Sequence, residues 1–249
     1  MPDDLSLALS VPGVEWVAFA ALVAGVVYGF AGFGAALIFF PMAMAFMPPA
    51  IVVPAFQISA LISLFTVLPR AVRYTDVRTS TLLVVSSLIA APLGVYLLHT
   101  VPEPILRWVV SIIVIVTLSS VLMGWRYHSA PGNLTTASIG AAAGVMGGAT
   151  GLNGPIVILF RLSGGDSAQT TRANMVVFLT MNSTLIIPIM VLQGVMTVQT
   201  FWVGMVLLLP YGAGTLIGQA LFKPSQEGIY QKVAYALIVL AALIGLPIW

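Results

Sequence analysis

The stretch Gly25-Val-Val-Tyr-Gly29-Phe-Ala-Gly32-Phe-Gly34 recurs in altered form as Gly144-Val-Met-Gly-Gly148-Ala-Thr-Gly151-Leu-Asn153-Gly154-Pro155. Gly25, Gly29 and Gly32 match Gly144, Gly148 and Gly151 at one constant offset of 119 residues. Each stretch lies inside a long apolar segment, where this density of glycine predicts a break in a helix. A pair of broken hydrophobic segments in corresponding positions of two halves indicates a transport site in a membrane protein.

The composition places the chain in a lipid bilayer, because 60% of its residues are hydrophobic and only 6% are charged. A soluble domain carries about 25% charged residues. The net charge of +2 and the lack of a dense basic run exclude a nucleic-acid groove. The chain has no cysteine, and we see no nucleophile–base pair and no metal-ligand cluster in it. We therefore predict no metal, no cofactor and no enzymatic activity.

Eight hydrophobic segments are long enough to enter or cross a bilayer, for which a helix needs about 20 residues. They lie at about 14–47, 50–68, 79–98, 105–124, 134–160, 173–192, 200–222 and 229–248. Beyond the glycine motif, Glu103 and Gly94 correspond to Glu227 and Gly218 at a common spacing. We predict an all-α polytopic membrane protein of two four-element repeats, residues 1–128 and 129–249.

The distribution of cations favours two hairpins that turn back inside the membrane. If all eight segments cross, the Arg and Lys residues divide four against five between the two sides. If the stretches 14–47 and 134–162 are re-entrant, only Arg107 lies on one side, together with the acidic N-terminal region. The other eight then share the cytoplasmic side: Arg70, Arg73, Arg78, Arg126, Arg161, Arg172, Lys223 and Lys232. This bias is typical of cytoplasmic loops, so we expect inverted repeats with both termini outside.

The two glycine-rich breaks are the predicted substrate site. A half-helix that starts at membrane depth directs unpaired N–H groups and a partial positive charge into the gap, which suits an anion. Asn153, Gly154 and Pro155 resemble such a start, next to Thr150 and Gly151, and Gly32, Phe33 and Gly34 take the same part in the first half. For Gly25, Gly29, Gly144 and Gly148, close helix packing is the alternative interpretation, and we favour it.

Three amides within the predicted spans are further candidates for the site. Gln57 follows the first hairpin, and Asn174 and Asn182 follow the second. An amide in lipid needs a hydrogen-bond partner, which is either the ligand or a neighbouring helix. No Asp, Glu, Lys or Arg lies deep in any predicted segment, so a cation site or a buried proton relay has no candidate. The pattern favours a small anion or a neutral solute.

These two motifs, Phe30-Ala-Gly32-Phe-Gly34-Ala-Ala and Gly147-Gly148-Ala-Thr-Gly151-Leu-Asn153-Gly154-Pro155, resemble those of the sulfite exporter TauE/SafE family. The resemblance covers nearly the whole chain and includes the eight hydrophobic segments. It implies transport of sulfite or a small organosulfonate, usually as export across the inner membrane of a bacterium. It does not specify the substrate of this chain.

We therefore expect a secondary anion transporter that works by alternating access. An anion channel of similar architecture is the nearest alternative, and a membrane assembly protein without transport activity is less favoured because large loops are absent. The expected partners are the anionic substrate and the lipid bilayer. The glycine-rich faces are also compatible with a homodimer.

Overall fold

The computed structural model describes residues 9–123, 132–161, 168–221 and 227–246. In these ranges the chain is helical and contains no strand. A short 3₁₀-helix, Val72–Tyr74, follows the fifth α-helix. The α-helices are α1 (Val14–Ala31), α2 (Ala35–Met44), α3 (Pro49–Ala60), α4 (Ser63–Thr66), α5 (Leu68–Ala71), α6 (Val77–Thr100), α7 (Glu103–Leu122), α8 (Asn133–Thr150), α9 (Gly154–Arg161), α10 (Ala168–Leu185), α11 (Ile187–Leu192), α12 (Val198–Leu221) and α13 (Glu227–Ile244).

Six helical stretches of the described chain are long and apolar enough to cross a bilayer. They are Val14–Ala31, Pro49–Thr66, Val77–Thr100, Glu103–Leu122, Gln169–Leu192 and Val198–Leu221. Two shorter apolar helices, Ala35–Met44 and Lys232–Ile244, accompany them. Large apolar side chains such as Ile89 and Leu209 are about three-quarters exposed on the outside of the bundle, as lipid contact allows. The prediction of an all-α polytopic membrane protein is confirmed.

The first glycine motif forms a hairpin. Gly32 ends α1 with φ +77°, and its N–H donates to the carbonyl of Tyr28 at 2.8 Å. Gly34 then precedes α2 with φ +88°. The rings of Trp16 and Phe46 stack with centroids 5.8 Å apart, although α1 alone is about 27 Å long at 1.5 Å per residue. The start of α1 and the end of α2 are therefore side by side, and the chain reverses at the glycines.

The second motif breaks its helix at the corresponding position. Gly151 ends α8 with φ +79°, and its N–H donates to the carbonyl of Gly147 at 2.8 Å. The offset of 119 residues thus relates two glycines with the same left-handed conformation and the same capping bond. Helix α9, the returning arm, has eight residues and packs against α8. Its length of about 12 Å is well short of a bilayer crossing.

The paired glycines of the motifs pack helices from the two halves against each other. A Cβ on Gly29 would lie 2.3 Å from the Thr215 carbonyl, and Gly218 lies directly against Gly29. In the other half, a Cβ on Gly148 would lie 2.7 Å from the Ala91 carbonyl, and Gly94 lies against Gly148. Helix α1 thus packs on α12, and α8 packs on α6. The contacts agree with the packing interpretation of these glycines.

Two predicted spans are interrupted rather than continuous. The stretch 50–68 is divided into α3, α4 and α5, with Pro69 at the start of α5. The stretch 173–192 ends α10 at Leu185, and α11 begins beside Pro188. Proline lacks the N–H that would continue the hydrogen-bond ladder and crowds the preceding residue, which explains both breaks near it. The predicted boundary at 128 and 129 lies outside the described residues, as do Arg126, Lys223 and the side chain of Arg161.

Candidate functional site

Both glycine-rich turns line a single cavity in the centre of the bundle. Phe33 and Gly34 come from the first turn, and Asn153 and Gly154 come from the second, 119 or more residues away in sequence. The cavity has a volume of about 40 Å³. That is more than the space one water molecule needs, which suits a small ion.

Two helix N-termini open into this cavity. Ala35, Ala36 and Leu37 form the first turn of α2, and all three line the cavity. Gly34 precedes them without any side-chain cap, so the N–H groups of this turn have no partner within the helix. From the other side, Gly154 and Pro155 begin α9 and line the same space. The positive ends of two helix dipoles therefore face one small volume.

Polar side chains in the cavity wall carry unused hydrogen-bonding capacity. The amide of Asn153 and the hydroxyl of Ser183 make no hydrogen bond within the described part of the chain. The Ser63 hydroxyl is buried and close to the Tyr211 hydroxyl, but it makes no hydrogen bond of normal geometry within the described chain. Leaving a buried donor unpaired costs about 1–3 kcal/mol, so the cavity favours a ligand that accepts hydrogen bonds.

The rest of the wall is aromatic and apolar, which makes the polar groups more effective. The hydroxyls of Tyr28 and Thr180 lie 3.1 Å apart. The ring of Tyr211 stacks on Tyr28 at 6.3 Å and meets Phe56 edge-on at 5.4 Å. Such rings exclude water and lower the local dielectric, which strengthens any hydrogen bond made inside. No acidic or basic side chain is among the described residues that line the cavity.

Three of the predicted site residues stabilise the turns without lining the cavity. The Thr150 hydroxyl donates to the Met146 carbonyl at 2.7 Å and accepts from the Leu152 N–H at 3.2 Å. Gly151 lies under the ring of Phe40, where a Cβ would come within 2.0 Å of the ring. Gly32 lies under the side chain of Arg172. The structure assigns these three residues a local role in holding the turns.

The three predicted amides are not among the residues that line the cavity. The side-chain oxygen of Asn174 accepts from the Thr75 hydroxyl and from the Asp76 N–H, both at 2.7 Å. This amide therefore fixes the start of α6. The oxygen of Asn182 accepts from the Ser87 hydroxyl at 2.8 Å. Gln57 is buried, with its side-chain oxygen unpaired in the described chain.

Sequence reasoning missed five polar residues of the cavity. They are Tyr28, Ser63, Thr180, Ser183 and Tyr211. Tyr28 lies inside the first glycine motif, and Ser63 follows Gln57 by less than two turns, so both positions carried a signal. A tyrosine within an apolar run is otherwise indistinguishable from an ordinary packed aromatic residue, and only the fold brings Tyr211 to the motif.

One cation reaches the site from its edge. The sequence places Arg172 at the membrane surface, whereas the structure has it partly buried in α10. Its guanidinium donates to the Gly29 carbonyl at 2.8 Å, and its stem covers Gly32. Arg172 flanks the predicted segment 173–192, and α10 begins earlier, at Ala168, so that the side chains of Arg172 and Val176 lie against Gly32 of the hairpin.

A comparison with known protein families finds a match over most of the chain. A family model described as "Sulfite exporter TauE/SafE" matches residues 17–244. No curated protein and no solved structure matches the chain. The matched range contains both glycine-rich turns and every described residue that lines the cavity.

Proposed function

The chain belongs to the sulfite exporter TauE/SafE family, and from this premise we propose that it is a secondary transporter of sulfite or a small organosulfonate. It is a multi-pass membrane protein of a transport family. The proposed direction is export across the inner membrane of a bacterium.

One observation carries the proposed site: the two glycine-rich turns meet at one cavity that contains unpaired donors and no described charge. The oxygens of a sulfite or sulfonate group would accept hydrogen bonds from the first N–H groups of α2 and α9. The Asn153 amide and the Ser63 hydroxyl add side-chain donors. Hydrogen bonds to an ionised acceptor are shorter and stronger than neutral ones. Binding would thus satisfy groups that are otherwise buried without partners.

The proposed topology has two inverted repeats with re-entrant hairpins at about 14–47 and 134–162. If every segment crossed the membrane, Arg70 and Arg172 would lie on opposite sides. Instead they line one common cavity at one end of the bundle, which supports the re-entrant assignment. The packing of α1 on α12 and of α8 on α6 is reciprocal between the halves, as an inverted duplication requires. Both termini then lie outside.

Alternating access follows from this arrangement. Each repeat contributes one hairpin turn to the cavity, so rocking one repeat against the other opens the cavity to one side at a time. The glycine crossings let helices of the two repeats slide closely past each other. The faces of Gly25, Gly29, Gly144 and Gly148 are occupied by these internal contacts and do not face a second copy of the chain.

Flux measured in proteoliposomes tests the function. The purified chain should move sulfite or a small sulfonate against its gradient when a proton or sodium gradient is imposed, and protein-free liposomes should not. The panel should include sulfate, thiosulfate and chloride. Unitary currents, or flux that never exceeds the substrate gradient, would favour the channel instead. A protein that moves none of these anions would refute the transporter assignment.

A further inference from the structure

A second cavity lies at the end of the bundle where α5, α10 and α12 meet. It has a volume of about 190 Å³, nearly five times that of the central cavity between the two glycine-rich turns. Arg70, Arg172, Gln169, Tyr74 and Gln219 supply its polar groups. None of its described lining residues is acidic. We call it the entry cavity.

The entry cavity and the central cavity lie along the same elements, one beyond the other. On the segment from α4 to α5, Ser63 lines the central cavity and Arg70 lines the entry cavity. On α12 the corresponding pair is Tyr211 and Gln219. Helix α12 is continuous, so its pair, eight residues apart, gives a separation of about 12 Å at 1.5 Å per residue. The two cavities therefore follow one another along this helix.

The polar groups of the entry cavity are donors for an oxyanion. The guanidinium of Arg70 contacts the side-chain oxygen of Gln219 at 3.4 Å and forms no ion pair within the described chain. That contact orients the Gln219 amide, whose nitrogen is buried and unpaired there. Arg172 adds a second guanidinium beside them. Guanidinium and amide N–H groups together match the several acceptor oxygens of a small oxyanion.

We propose that the entry cavity is a second binding site, which holds the anion on the cytoplasmic side before it moves to the central cavity. The proposal rests on the transporter function given above. Arg172 connects the two sites, since it lines the entry cavity and also holds the hairpin turn through Gly29. The ligand group is an oxyanion, and a lipid phosphate shares that chemistry. The alignment with the central cavity favours a mobile anion over a lipid headgroup.

The test compares Arg70→Gln with Arg73→Gln. Both arginines are exposed and lie three residues apart, but only Arg70 lines the entry cavity. Sulfite flux is measured in liposomes of zwitterionic lipid and in liposomes with added phosphatidylglycerol. Arg70→Gln should raise the half-saturating concentration about fivefold at low salt and about twofold at high salt, because screening weakens an exposed charge. Arg73→Gln should behave like the wild type in both lipids.

The outcomes separate this proposal from the transporter assignment. If Arg70→Gln and Arg73→Gln give equal half-saturating concentrations while wild-type flux is normal, the entry site is refuted and the transporter stands. If the Arg70→Gln effect appears only with phosphatidylglycerol, the lipid headgroup occupies the cavity and the proposal fails. If the wild type shows no flux, sulfite binding is measured instead, by calorimetric titration into the detergent-solubilised protein. Weaker binding by Arg70→Gln alone, without any wild-type flux, would support the entry site and refute the transporter.

Discussion

At the scale of single residues, the glycines of this chain have two different roles. Gly32, Gly34 and Gly151 have positive φ and reverse the chain, a conformation that other residues rarely adopt. Gly29 and Gly148 have ordinary helical geometry, and their lack of a side chain lets two helices touch. Residues of the first kind shape the cavity, and those of the second kind hold the halves together.

Gly151→Ala should destabilise the protein strongly. The substitution forces a side chain into a left-handed conformation and places its Cβ 2.0 Å from the ring of Phe40. Strain and overpacking together should cost about 2–4 kcal/mol. Gly154→Ala is the matched control, since its Cβ would meet only a Leu179 methyl at 3.3 Å. The melting temperature in detergent should fall by several degrees for the first variant only, and equal melting temperatures would contradict the assignment of strain to Gly151.

The sequence identified some residues of the cavity because their chemistry is local. Gly34, Asn153 and Gly154 belong to glycine-rich helix breaks that the local sequence alone indicates. Asn174 looked equivalent to them because an amide in an apolar segment needs a partner. That partner is the Thr75–Asp76 turn, about 100 residues away in sequence. Which of several possible partners a buried amide takes depends on tertiary packing, and no spacing pattern records it.

At the scale of elements, the small-residue faces determine which helices cross. Helix α8 presents Gly140, Gly144 and Gly148 at spacings of four residues, and all three lie against the backbone of α6. Helix α1 presents Gly25 and Gly29 to α12 in the same way. In lipid, where no hydrophobic effect drives helices together, such close contact supplies the packing energy.

Gly144→Ala should weaken the crossing of α8 and α6. An added Cβ would lie 2.0 Å from the Ser87 carbonyl, and overpacking of this kind costs about 1–3 kcal/mol. In an exposed helix, Gly→Ala would stabilise the protein by up to about 1 kcal/mol. The predicted effect of Gly144→Ala on stability has the opposite sign. Gly132→Ala is the control, because nothing lies within 4 Å of that site. A melting temperature for Gly144→Ala at or above that of Gly132→Ala would contradict the close crossing.

The elements were predictable to different degrees. The hydrophobic runs predicted the helices, and the glycine-rich breaks predicted both chain reversals, because these features depend on local backbone preference. The division of 50–68 into three helices was not visible, since the helix continues through Pro54 and the chain breaks only after Ala60 and again before Pro69. The packing of helices from one half against helices from the other also depends on the tertiary fold. The recurring glycine spacings are the part of the sequence that indicates it.

At the scale of the whole molecule, the proposed topology is supported by the cation distribution and by one common cavity in the fold. The re-entrant arrangement puts eight of the nine cations on one side. In the structure, Arg70 and Arg172 come together at one end of the bundle. Arg107, in the second turn of α7, pairs instead with Glu103, the first residue of that helix, at 2.5 Å. On the proposed topology, Arg70 and Arg172 share the cytoplasmic side and Arg107 lies on the outer side.

Cysteine labelling tests this topology in a chain that has no native cysteine. Val72→Cys and Leu192→Cys place thiols on two exposed positions, in the 3₁₀-helix and at the end of α11. Re-entrant hairpins put them on opposite sides, so a membrane-impermeant maleimide added outside should label only Leu192→Cys. Eight full crossings would put both on one side. Labelling of both thiols from the same side would therefore refute the inverted repeats.

The most direct test of the central claim is the flux of sulfite through Ser63→Ala and Asn153→Ala, compared with Ser59→Ala, in proteoliposomes. The Ser63 hydroxyl is unpaired in the described chain, while the Ser59 hydroxyl, one turn away, donates to the Phe56 carbonyl at 2.8 Å. Loss of a hydrogen bond to an ion should raise the half-saturating concentration about tenfold for Ser63→Ala and Asn153→Ala. Ser59→Ala should match the wild type. Equal half-saturating concentrations in all four proteins would contradict the account.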